Sequence, residues 1–185
     1  MTERKIILHG TEHSGHAHRV ELLLVMLGLP YESVSASAEV RCSPDFLRRN
    51  PLGQIPVMED GDLMLADSNA IMVYLVKRYA PGSPWLPEDA VTAARVQRWL
   101  SIAAGEIRYG PADARRIAQW GAPGDRVSCA AIAGGILAVM DGHLADREWL
   151  AADHPTIADL ACYPYIAHAP EGGISLEPYG AVKAW

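Results

Sequence analysis

The most informative stretch of the sequence, residues 54–71, reads QIPVMEDGDLMLADSNAI. An Ile55–Pro56 step opens this stretch, and a proline at the start of a strand has no N–H to give to a sheet. A cis bond at this step would turn the chain sharply and leave the backbone N–H and C=O of Ile55 open. We therefore expect a sheet edge at Ile55 that can pair with the backbone of an extended ligand.

The middle of this stretch predicts a β-hairpin. Asp60-Gly61 is a strong turn signal, and it lies between the apolar runs Val57-Met58 and Leu63–Leu65. The stretch therefore contains a strand, a turn and a second strand after the proline.

The end of the stretch joins a polar pair to an apolar helix. Asp67 and Ser68 present side-chain oxygens beside the unpaired N–H groups of a helix N-terminus, which suit the charged end of a ligand. We expect Ser68 to cap this helix, in which Ile71, Leu75 and Val76 share one face. A small peptide could thus be held by its backbone at the sheet edge and by its charged end at the helix.

Other parts of the chain carry motifs in an order that resembles the cytosolic glutathione transferases, in particular serine-type, bacterial-like members. Besides residues 54–71, these motifs are KIILHG at 5–10, SGHAHRV at 14–20, GLPYE at 28–32 and PTIADLA at 155–161. No single motif is specific, but the ordered set covers nearly the whole chain. The resemblance implies a thioredoxin-like α/β N-terminal domain, an all-α C-terminal helical bundle and a homodimer.

Length and composition argue against several other classes of protein. With 185 residues the chain could form one domain or two small ones, and half of its residues are hydrophobic, enough for a substantial core. The net charge of −6 argues against a nucleic-acid surface. The longest apolar stretch, Cys129–Met140, is too short to span a bilayer, and we expect no signal peptide. Three scattered cysteines fit a reducing, cytoplasmic location.

The pattern of elements changes at a cluster of prolines. Over residues 1–80, apolar runs and turn signals predict the order β-α-β-α-β-β-α of a thioredoxin-like domain. Pro81, Pro84 and Pro87 predict a linker over residues 81–87. Helical periodicity then dominates residues 88–109, 125–145 and 156–169. Because no convincing strand follows the linker, residues 88–185 are predicted to form an all-helical domain.

Two motifs in the helical half are predicted to be structural. Gly134-Gly135 lies inside a helical run, where glycine costs stability, so we expect another backbone to pack closely there. Thr156 and Asp159 form a capping-box pattern, with Thr156 as N-cap and Asp159 reaching back to it. We expect this box to begin a helix that faces the core.

Ser14 is the first candidate for a catalytic residue. Thiol chemistry needs a thiolate, and an unperturbed thiol has a pKa of about 8.5. A hydroxyl donor at a helix N-terminus stabilises a thiolate through one hydrogen bond and through the partial positive charge of the helix. Ser14 precedes the first helix, and the resemblance places the activating residue of serine-type transferases there. The alternative is that Ser14 serves only as an N-cap.

The histidines near Ser14 suggest further roles. His16 is the second catalytic candidate, as a group that orients the thiol or as a second donor, and His13 and Thr11 could also reach the sulfur. His9, His13, His16 and His18 raise the question of a metal site. We expect none, because a zinc site needs convergent ligands at closed spacings, and His16 and His18 point in different directions on a helix.

The resemblance also implies how glutathione, as co-substrate, would be held. Ile55 would pair through its backbone with the cysteinyl unit, Pro56 would shape the turn, and Gln54 would reach the glycyl end. Asp67 and Ser68 would hold the γ-glutamyl amine and carboxylate respectively.

Two points about this site stay open from the sequence. Arg41 or Arg49 could pair with the glycyl carboxylate, although each could equally be a solvated arginine. The chain has no Cys-x-x-Cys pair and no cysteine at position 14, which argues against dithiol redox cycling. Conjugation of glutathione and reduction of peroxides by two glutathiones both remain compatible with the motifs.

The second substrate is expected against the helix predicted near residues 95–109. The candidate wall residues are Arg108, Tyr109 and Tyr165, with Trp99 and His168 as further candidates. Each could equally be an ordinary core or surface residue. Arginines at positions 108, 115 and 116 would favour anionic co-substrates. Residues 178–185 resemble the start of a terminal helix that family members usually continue, so we expect a shortened end.

These features predict a cytoplasmic, homodimeric enzyme that conjugates glutathione to small electrophiles, a detoxification reaction, with peroxide reduction as a further activity. We expect no nucleic-acid or membrane partner. The alternative is a non-catalytic binding or scaffolding protein with the same fold. A third and weaker reading is a monothiol oxidoreductase that uses Cys42, which lies outside the expected site.

Overall fold

The computed structural model describes residues 5–185. Within it the chain divides between Ser83 and Pro84 into two compact units. This division lies within the predicted linker, residues 81–87, whose own bounds stay a prediction.

The first unit is a four-stranded mixed sheet with helices. In chain order its elements are β1 (Ile6–Gly10), α1 (Gly15–Met26), β2 (Tyr31–Ser35), α2 (Ala38–Arg41), α3 (Pro44–Arg49), β3 (Val57–Asp60), β4 (Leu63–Ala66) and α4 (Ser68–Tyr79). The strand order is β2-β1-β3-β4, with β1 parallel to β2 and antiparallel to β3. The predicted thioredoxin-like α/β fold is confirmed, and the short helix α2 is an addition that the sequence pattern did not predict.

Alternation along β1 places helices against both faces of the sheet. A Cβ added at Gly10 would lie 2.8 Å from the Cβ of Ala17, so α1 packs directly on the face that carries this glycine. The side chain of His9, whose backbone pairs with Val57 of β3, lies on the opposite face. There the ring centroid of Phe46 in α3 lies 6.3 Å from that of His9, edge to face. A side chain at position 10 would therefore push α1 away from the sheet.

The hairpin turn differs by one residue from its prediction. Asp60 belongs to β3 and pairs with Leu63, so the loop is Gly61-Asp62 and Asp60-Gly61 is not its central pair. Gly61 takes the positive φ of 61° that the turn needs. Asp60 stays in the strand because its buried carboxylate accepts hydrogen bonds of 2.6 Å from the hydroxyls of Tyr74 and Tyr79 in α4. Burial, and then its own hydrogen bond to Asp60, raise the pKa of Tyr79 to about 12.

The regular elements that the structure describes in the second unit are all helical. Its elements are α5 (Ala90–Ala104), a π-helical turn (Arg108–Ala112), α6 (Asp113–Trp120), α7 (Arg126–Leu144), α8 (Ile157–Ala167), a 3-10 turn (Ala169–Gly172) and α9 (Gly180–Ala184). The predicted all-α C-terminal bundle is confirmed. The helix predicted over 88–109 ends at Ala104, with Gly105 as its C-cap. The helix α6 was not predicted, because Gly110 and Pro111 interrupt the sequence pattern before it.

The start of α8 confirms the predicted capping box. The Thr156 side chain accepts a hydrogen bond from the backbone of the first turn, and Asp159 Oδ2 accepts from Thr156 N at 2.9 Å. The other carboxylate oxygen of Asp159 accepts from Leu150 N and from Trp185 Nε1, each at 3.0 Å. Thr156 and Asp159 are both buried, so this helix start is an internal anchor.

The prediction for Gly134-Gly135 is wrong. A Cβ at Gly135 would meet nothing within 4 Å, and one at Gly134 only the Tyr179 hydroxyl at 4.0 Å. The close approaches occur at Gly110, where a Cβ would lie 2.8 Å from Ala133 N, and at Gly172, where it would lie 2.7 Å from Arg115 N. The backbone that passes α7 therefore meets Ala133, one residue before the glycine pair.

The expectation about membrane-spanning length also needs correction. The apolar stretch 129–140 is part of α7, which has 19 residues and is, by length and composition alone, long and apolar enough to cross a bilayer. The apolar run is bounded by Ser128 and Asp141, whereas the helix continues through both residues. Core helices pass the same test, and the buried side chains of α7 recur at the spacing of one helical face.

Candidate functional site

A backbone edge is open at Ile55. The Ile55–Pro56 bond is cis, and within residues 5–185 neither the N–H nor the C=O of Ile55 has a hydrogen-bond partner. The Ile55 side chain packs against the small core cluster around Phe46 and Val57. The side chain thus anchors this residue while its backbone stays available, as the sequence predicted.

Asn50 shapes the loop that leads to this edge. Its side-chain Nδ2 donates to Gln54 O at 2.9 Å, and its Oδ1 accepts from Leu52 N at 3.1 Å. Asn50 is buried, whereas the Gln54 side chain is exposed. Sequence reasoning missed this role of Asn50; the signal that could have found it is the residue type, because asparagine often satisfies backbone groups in turns.

The start of α4 differs from its prediction in one respect. Asp67, not Ser68, is the N-cap, and its Oδ1 accepts from Asn69 N at 3.0 Å and from Ala70 N at 2.9 Å. Asp67 is exposed and has a φ of 73°, an uncommon backbone conformation for a residue with a Cβ. Ser68 is the first helical residue, because the Asp67 carboxylate can accept from both of those N–H groups.

Ser68 is buried between two side chains of α1. Its Oγ lies 3.4 Å from His16 Nδ1 and 3.5 Å from Arg19 Nη1, and the residue is 4% exposed. Arg19 Nη1 also donates to Asn69 Oδ1 at 3.1 Å. The first turns of α1 and α4 therefore lie side by side, which the sequence alone did not predict.

Ser14 is the N-cap of α1. Its Oγ accepts from Ala17 N at 3.2 Å, its N–H donates to Thr11 O at 3.0 Å, and it is half-buried. A serine hydroxyl that accepts one hydrogen bond still has its proton to donate. Capping and donation to a thiolate are therefore compatible roles for this one side chain.

The other candidates near Ser14 lie in different surroundings. His16 is in the first turn of α1 with its Nδ1 next to Ser68. His13 is exposed, and its Nε2 lies 3.3 Å from Glu12 Oε1. Within residues 5–185, no group of three His, Cys, Asp or Glu side chains is arranged to hold a metal ion.

A histidine and an arginine share one carboxylate on the sheet face below α3. His9 Nε2 lies 2.7 Å from Glu59 Oε1, and Arg49 Nε donates to the same oxygen at 3.1 Å. These contacts, the His9 hydrogen bond first, hold the pKa of Glu59 below its ordinary value of 4.5. Arg49, a candidate for the glycyl carboxylate, is thus tied to Glu59, while Arg41 Nε donates to Ser37 O at 3.4 Å.

The candidates for the second-substrate pocket lie in the second unit. Arg108 forms an ion pair with Asp113 and lies over the ring of Tyr109, which is 59% exposed. Tyr165 is buried in its unit. The two other arginines are also paired, Arg116 with Asp113 and Arg115 with Glu171. Any anionic co-substrate would therefore compete with carboxylates that these cations already contact.

The second unit also contains a cavity of about 790 Å³ near the start of α5 and the loop that precedes α8. Arginines and carboxylates both line it, among them Arg95, Arg98, Asp89 and Asp146. Trp99 contributes to its wall, but Arg108, Tyr109 and Tyr165 do not. Of the candidate wall residues, Trp99 therefore lines this cavity, and the second-substrate pocket stays a prediction.

Comparison with known families and proteins gives consistent matches over both units. Residues 8–84 match the family model described as glutathione S-transferase, N-terminal domain, and residues 128–185 match glutathione S-transferase, C-terminal domain. The chain is 30% identical to glutathione S-transferase GstB of Escherichia coli K12, over 97% of this chain and 90% of that protein. It is 34% identical to glutathione S-transferase 3 of Zea mays, over 96% of this chain and 86% of that protein.

Solved structures agree with these matches. A glutathione S-transferase from Pseudomonas fluorescens superimposes with a TM-score of 0.91 and 31% identity, over 97% of this chain and 92% of that one. A glutathione transferase homologue from Drosophila mojavensis with bound glutathione superimposes with a TM-score of 0.87 and 27% identity, over 99% of this chain and 86% of that one.

Proposed function

The chain belongs to the glutathione S-transferase family, and from that premise we propose that it joins the sulfur of glutathione to small electrophiles. One observation carries the proposal: the N-terminal turns of α1 and α4 lie side by side, joined by the His16–Ser68 contact of 3.4 Å. Helix N-termini attract negative charge, and glutathione has both a thiol that can ionise and carboxylates. Two adjacent helix starts could therefore hold the thiolate and a carboxylate of the same ligand.

The binding half of the site is proposed to use the first unit's open polar groups. The backbone of Ile55 pairs with the cysteinyl unit, beside Pro56, and Gln54 reaches toward the glycyl end. Asp67 binds the γ-glutamyl amine, and Ser68 donates to the γ-glutamyl carboxylate. This assignment is supported by the unpartnered backbone of Ile55 and by the open side of the exposed Asp67 carboxylate.

The chemical step is proposed to depend on Ser14. Its hydroxyl proton, which capping leaves unused, donates to the glutathione sulfur and stabilises the thiolate together with the N-terminus of α1. The thiol proton passes to solvent water, a lone pair of the thiolate forms the new C–S bond to the electrophile, and the leaving group departs with the bonding electrons. His16 can assist through Nε2, since its Nδ1 lies next to Ser68.

Several finer features belong to the same proposal. The electrophile would lie near Arg108, Tyr109 and Tyr165, and peroxides reduced by two glutathiones would be a further substrate class. We place the protein in the cytoplasm as a homodimer with a role in detoxification, by analogy with its family.

A second candidate function is glutathione binding without turnover. In that case Ser14 would act only as the N-cap of α1, through the Ala17 N to Ser14 Oγ hydrogen bond of 3.2 Å. A binding or scaffolding protein of the same fold would need nothing more from this residue.

The test mixes the intact protein with reduced glutathione and a chromogenic aryl halide, and in parallel applies it to a glutathione-affinity resin. We expect retention on the resin and a conjugation rate that rises with pH as the bound thiol ionises. Retention without conjugation or peroxide reduction would favour the binding protein. No retention and no turnover would contradict both functions.

A further inference from the structure

A buried arginine lies beside the start of α4 and has no role in the site described so far. Arg19 in α1 is 1% exposed, and its Nη1 donates to Asn69 Oδ1 at 3.1 Å and to Ser68 Oγ at 3.5 Å. Arginine is almost never fully buried unless polar groups surround it, because its charge must be compensated. Its position behind two consecutive polar residues of α4 therefore calls for an explanation.

The guanidinium can only donate, and this sets the direction of the hydrogen bonds around Ser68. A serine hydroxyl has one proton and two acceptor lone pairs. Because Arg19 points an N–H at Ser68 Oγ, it uses a lone pair of that oxygen and leaves the hydroxyl proton for another acceptor. His16 Nδ1, 3.4 Å away, can take this proton when it is unprotonated, but a carboxylate is the stronger acceptor.

We propose that Arg19 is a positioning residue for glutathione that acts through Ser68. It orients the Ser68 hydroxyl as a donor to the γ-glutamyl carboxylate, and through Asn69 it holds the first turn of α4 against α1. The proposal rests on the function proposed above, because it requires the glutamyl end to bind at Ser68. Arg19 itself does not touch the ligand.

His16 is then the acceptor that the ligand replaces. Without glutathione the Ser68 proton points to His16 Nδ1, and in the complex it points to the carboxylate. The exchange keeps the buried hydroxyl satisfied in both states, so binding leaves no buried donor without an acceptor.

A double-mutant cycle on the intact protein tests this proposal. The dissociation constant of reduced glutathione is measured by calorimetry for the wild type, Arg19→Met, Ser68→Ala and the double variant. We expect each single substitution to weaken binding about tenfold, the size of one charge-assisted hydrogen bond. The double variant should be no more than about twofold weaker than Ser68→Ala, because the two residues act as one unit.

Two further measurements separate positioning from general damage to the fold. Arg19→Lys still offers a donor, so it should recover part of the affinity lost in Arg19→Met. In Arg19→Met and Arg19→Lys, kcat at saturating glutathione should stay within about threefold of the wild type, while KM for glutathione rises. An interaction that is equally strong in the ground state and the transition state changes KM alone. Melting temperatures and circular dichroism show whether each variant is folded.

Leu23→Ala is the matched control. Leu23 lies one turn further along α1 and is fully buried, so the substitution weakens the packing of α1 without changing a hydrogen bond to Ser68. We expect lower stability and an unchanged dissociation constant.

Three results would overturn the proposal: wild-type affinity in folded Arg19→Met, additive losses in the double variant, or equal weakening in Leu23→Ala. If the wild type itself shows no saturable binding, the proposed function fails and this inference fails with it. If the wild type and Ser68→Ala behave as expected but the losses add, only the role of Arg19 is wrong.

Discussion

The starts of α4 and α8 use the same capping chemistry in opposite surroundings. At α8, Thr156 and Asp159 are buried, and Asp159 accepts hydrogen bonds from Leu150, Thr156 and Trp185 with both of its oxygens. At α4 the capping carboxylate is exposed, and within the described residues one oxygen, Oδ1, accepts from the backbone of its own helix. The same local chemistry therefore serves stability where it is enclosed, and offers a binding surface where it is open.

Backbone geometry adds to this contrast. Thr156 has an ordinary extended conformation, with φ −131° and ψ 175°, whereas Asp67 has a φ of 73°. Residues with a Cβ adopt such an angle at a cost, and they keep it where surrounding structure or function requires it. In α4 that surrounding structure includes Arg19 and His16, which hold the next residue, Ser68, from the side of α1.

The sharpest test of the enclosed start is Asp159→Ala, for which we expect the largest effect. It removes an acceptor shared by Leu150 N, Thr156 N and Trp185 Nε1, and hydrogen bonds to charged groups contribute about 1.5–3 kcal/mol each. The free energy of unfolding, from urea titration, should fall by about 3 kcal/mol or more. A loss of unfolding free energy below about 1 kcal/mol would show that the buried start of α8 does not contribute strongly to stability.

Ser14→Ala tests the start of α1, which lies beside the open start of α4. Loss of the donor should raise the pKa seen in the pH–rate profile and lower turnover about tenfold or more, since one unit of pKa is worth about 1.4 kcal/mol. The measurement is the rate of conjugation of an aryl halide across pH.

Ser37→Ala is the control for that variant. Ser37 caps α2 in the first unit, and its side chain accepts from Val40 N at 3.3 Å. The Ser37→Ala substitution removes a serine cap of the same kind without changing the proposed site. The pH–rate profile of this variant should therefore match that of the wild type. An unchanged profile in Ser14→Ala would remove Ser14 from the mechanism.

A smaller effect is expected for Thr156→Ala at the enclosed start. Loss of an N-cap hydroxyl costs about 1 kcal/mol, so the melting temperature should drop by several degrees for a chain of this size. Kinetic constants of the folded enzyme should not change. A variant that kept its stability but lost catalysis would contradict the structural role of this box.

The smallest expected effect is a change in pH dependence at Glu59, a partly exposed carboxylate in the first unit. Its pKa is lowered in the folded protein, first by the hydrogen bond to His9. The stabilisation is therefore present above the unfolded pKa and disappears as pH falls through the lower folded pKa. The difference in unfolding free energy between wild type and Glu59→Gln should be largest near neutral pH. It should disappear below a pH of about 4.

Urea titrations at a series of pH values measure this difference. If the difference in unfolding free energy grew toward acidic pH, its pH dependence would be opposite to the prediction. The His9–Glu59 contact would then not be a stabilising one.

Local signals explain what the sequence predicted well. The structure confirms the two strands of the β3–β4 hairpin and Thr156 as the N-cap of α8. Each of these depends on residues within a few positions of one another. The open backbone of Ile55 was also predictable, because the proline that follows it cannot join the sheet.

The missed features depend on contacts between distant parts of the chain. Arg19 and Ser68 are 49 positions apart, and His9 and Glu59 are 50 apart. At the glycine pair in α7 the sequence predicted a close contact that does not exist. A close approach depends on the partner backbone, which the sequence pattern does not contain. Gly110 and Gly172 hold those contacts instead.

The most direct test of the open helix start is a crystal structure of the protein with reduced glutathione. We predict the γ-glutamyl carboxylate within hydrogen-bond distance of Ser68 Oγ, the ligand backbone paired with Ile55, and the sulfur next to Ser14 Oγ. Glutathione bound away from the first turns of α1 and α4, or with its sulfur remote from Ser14, would contradict the account.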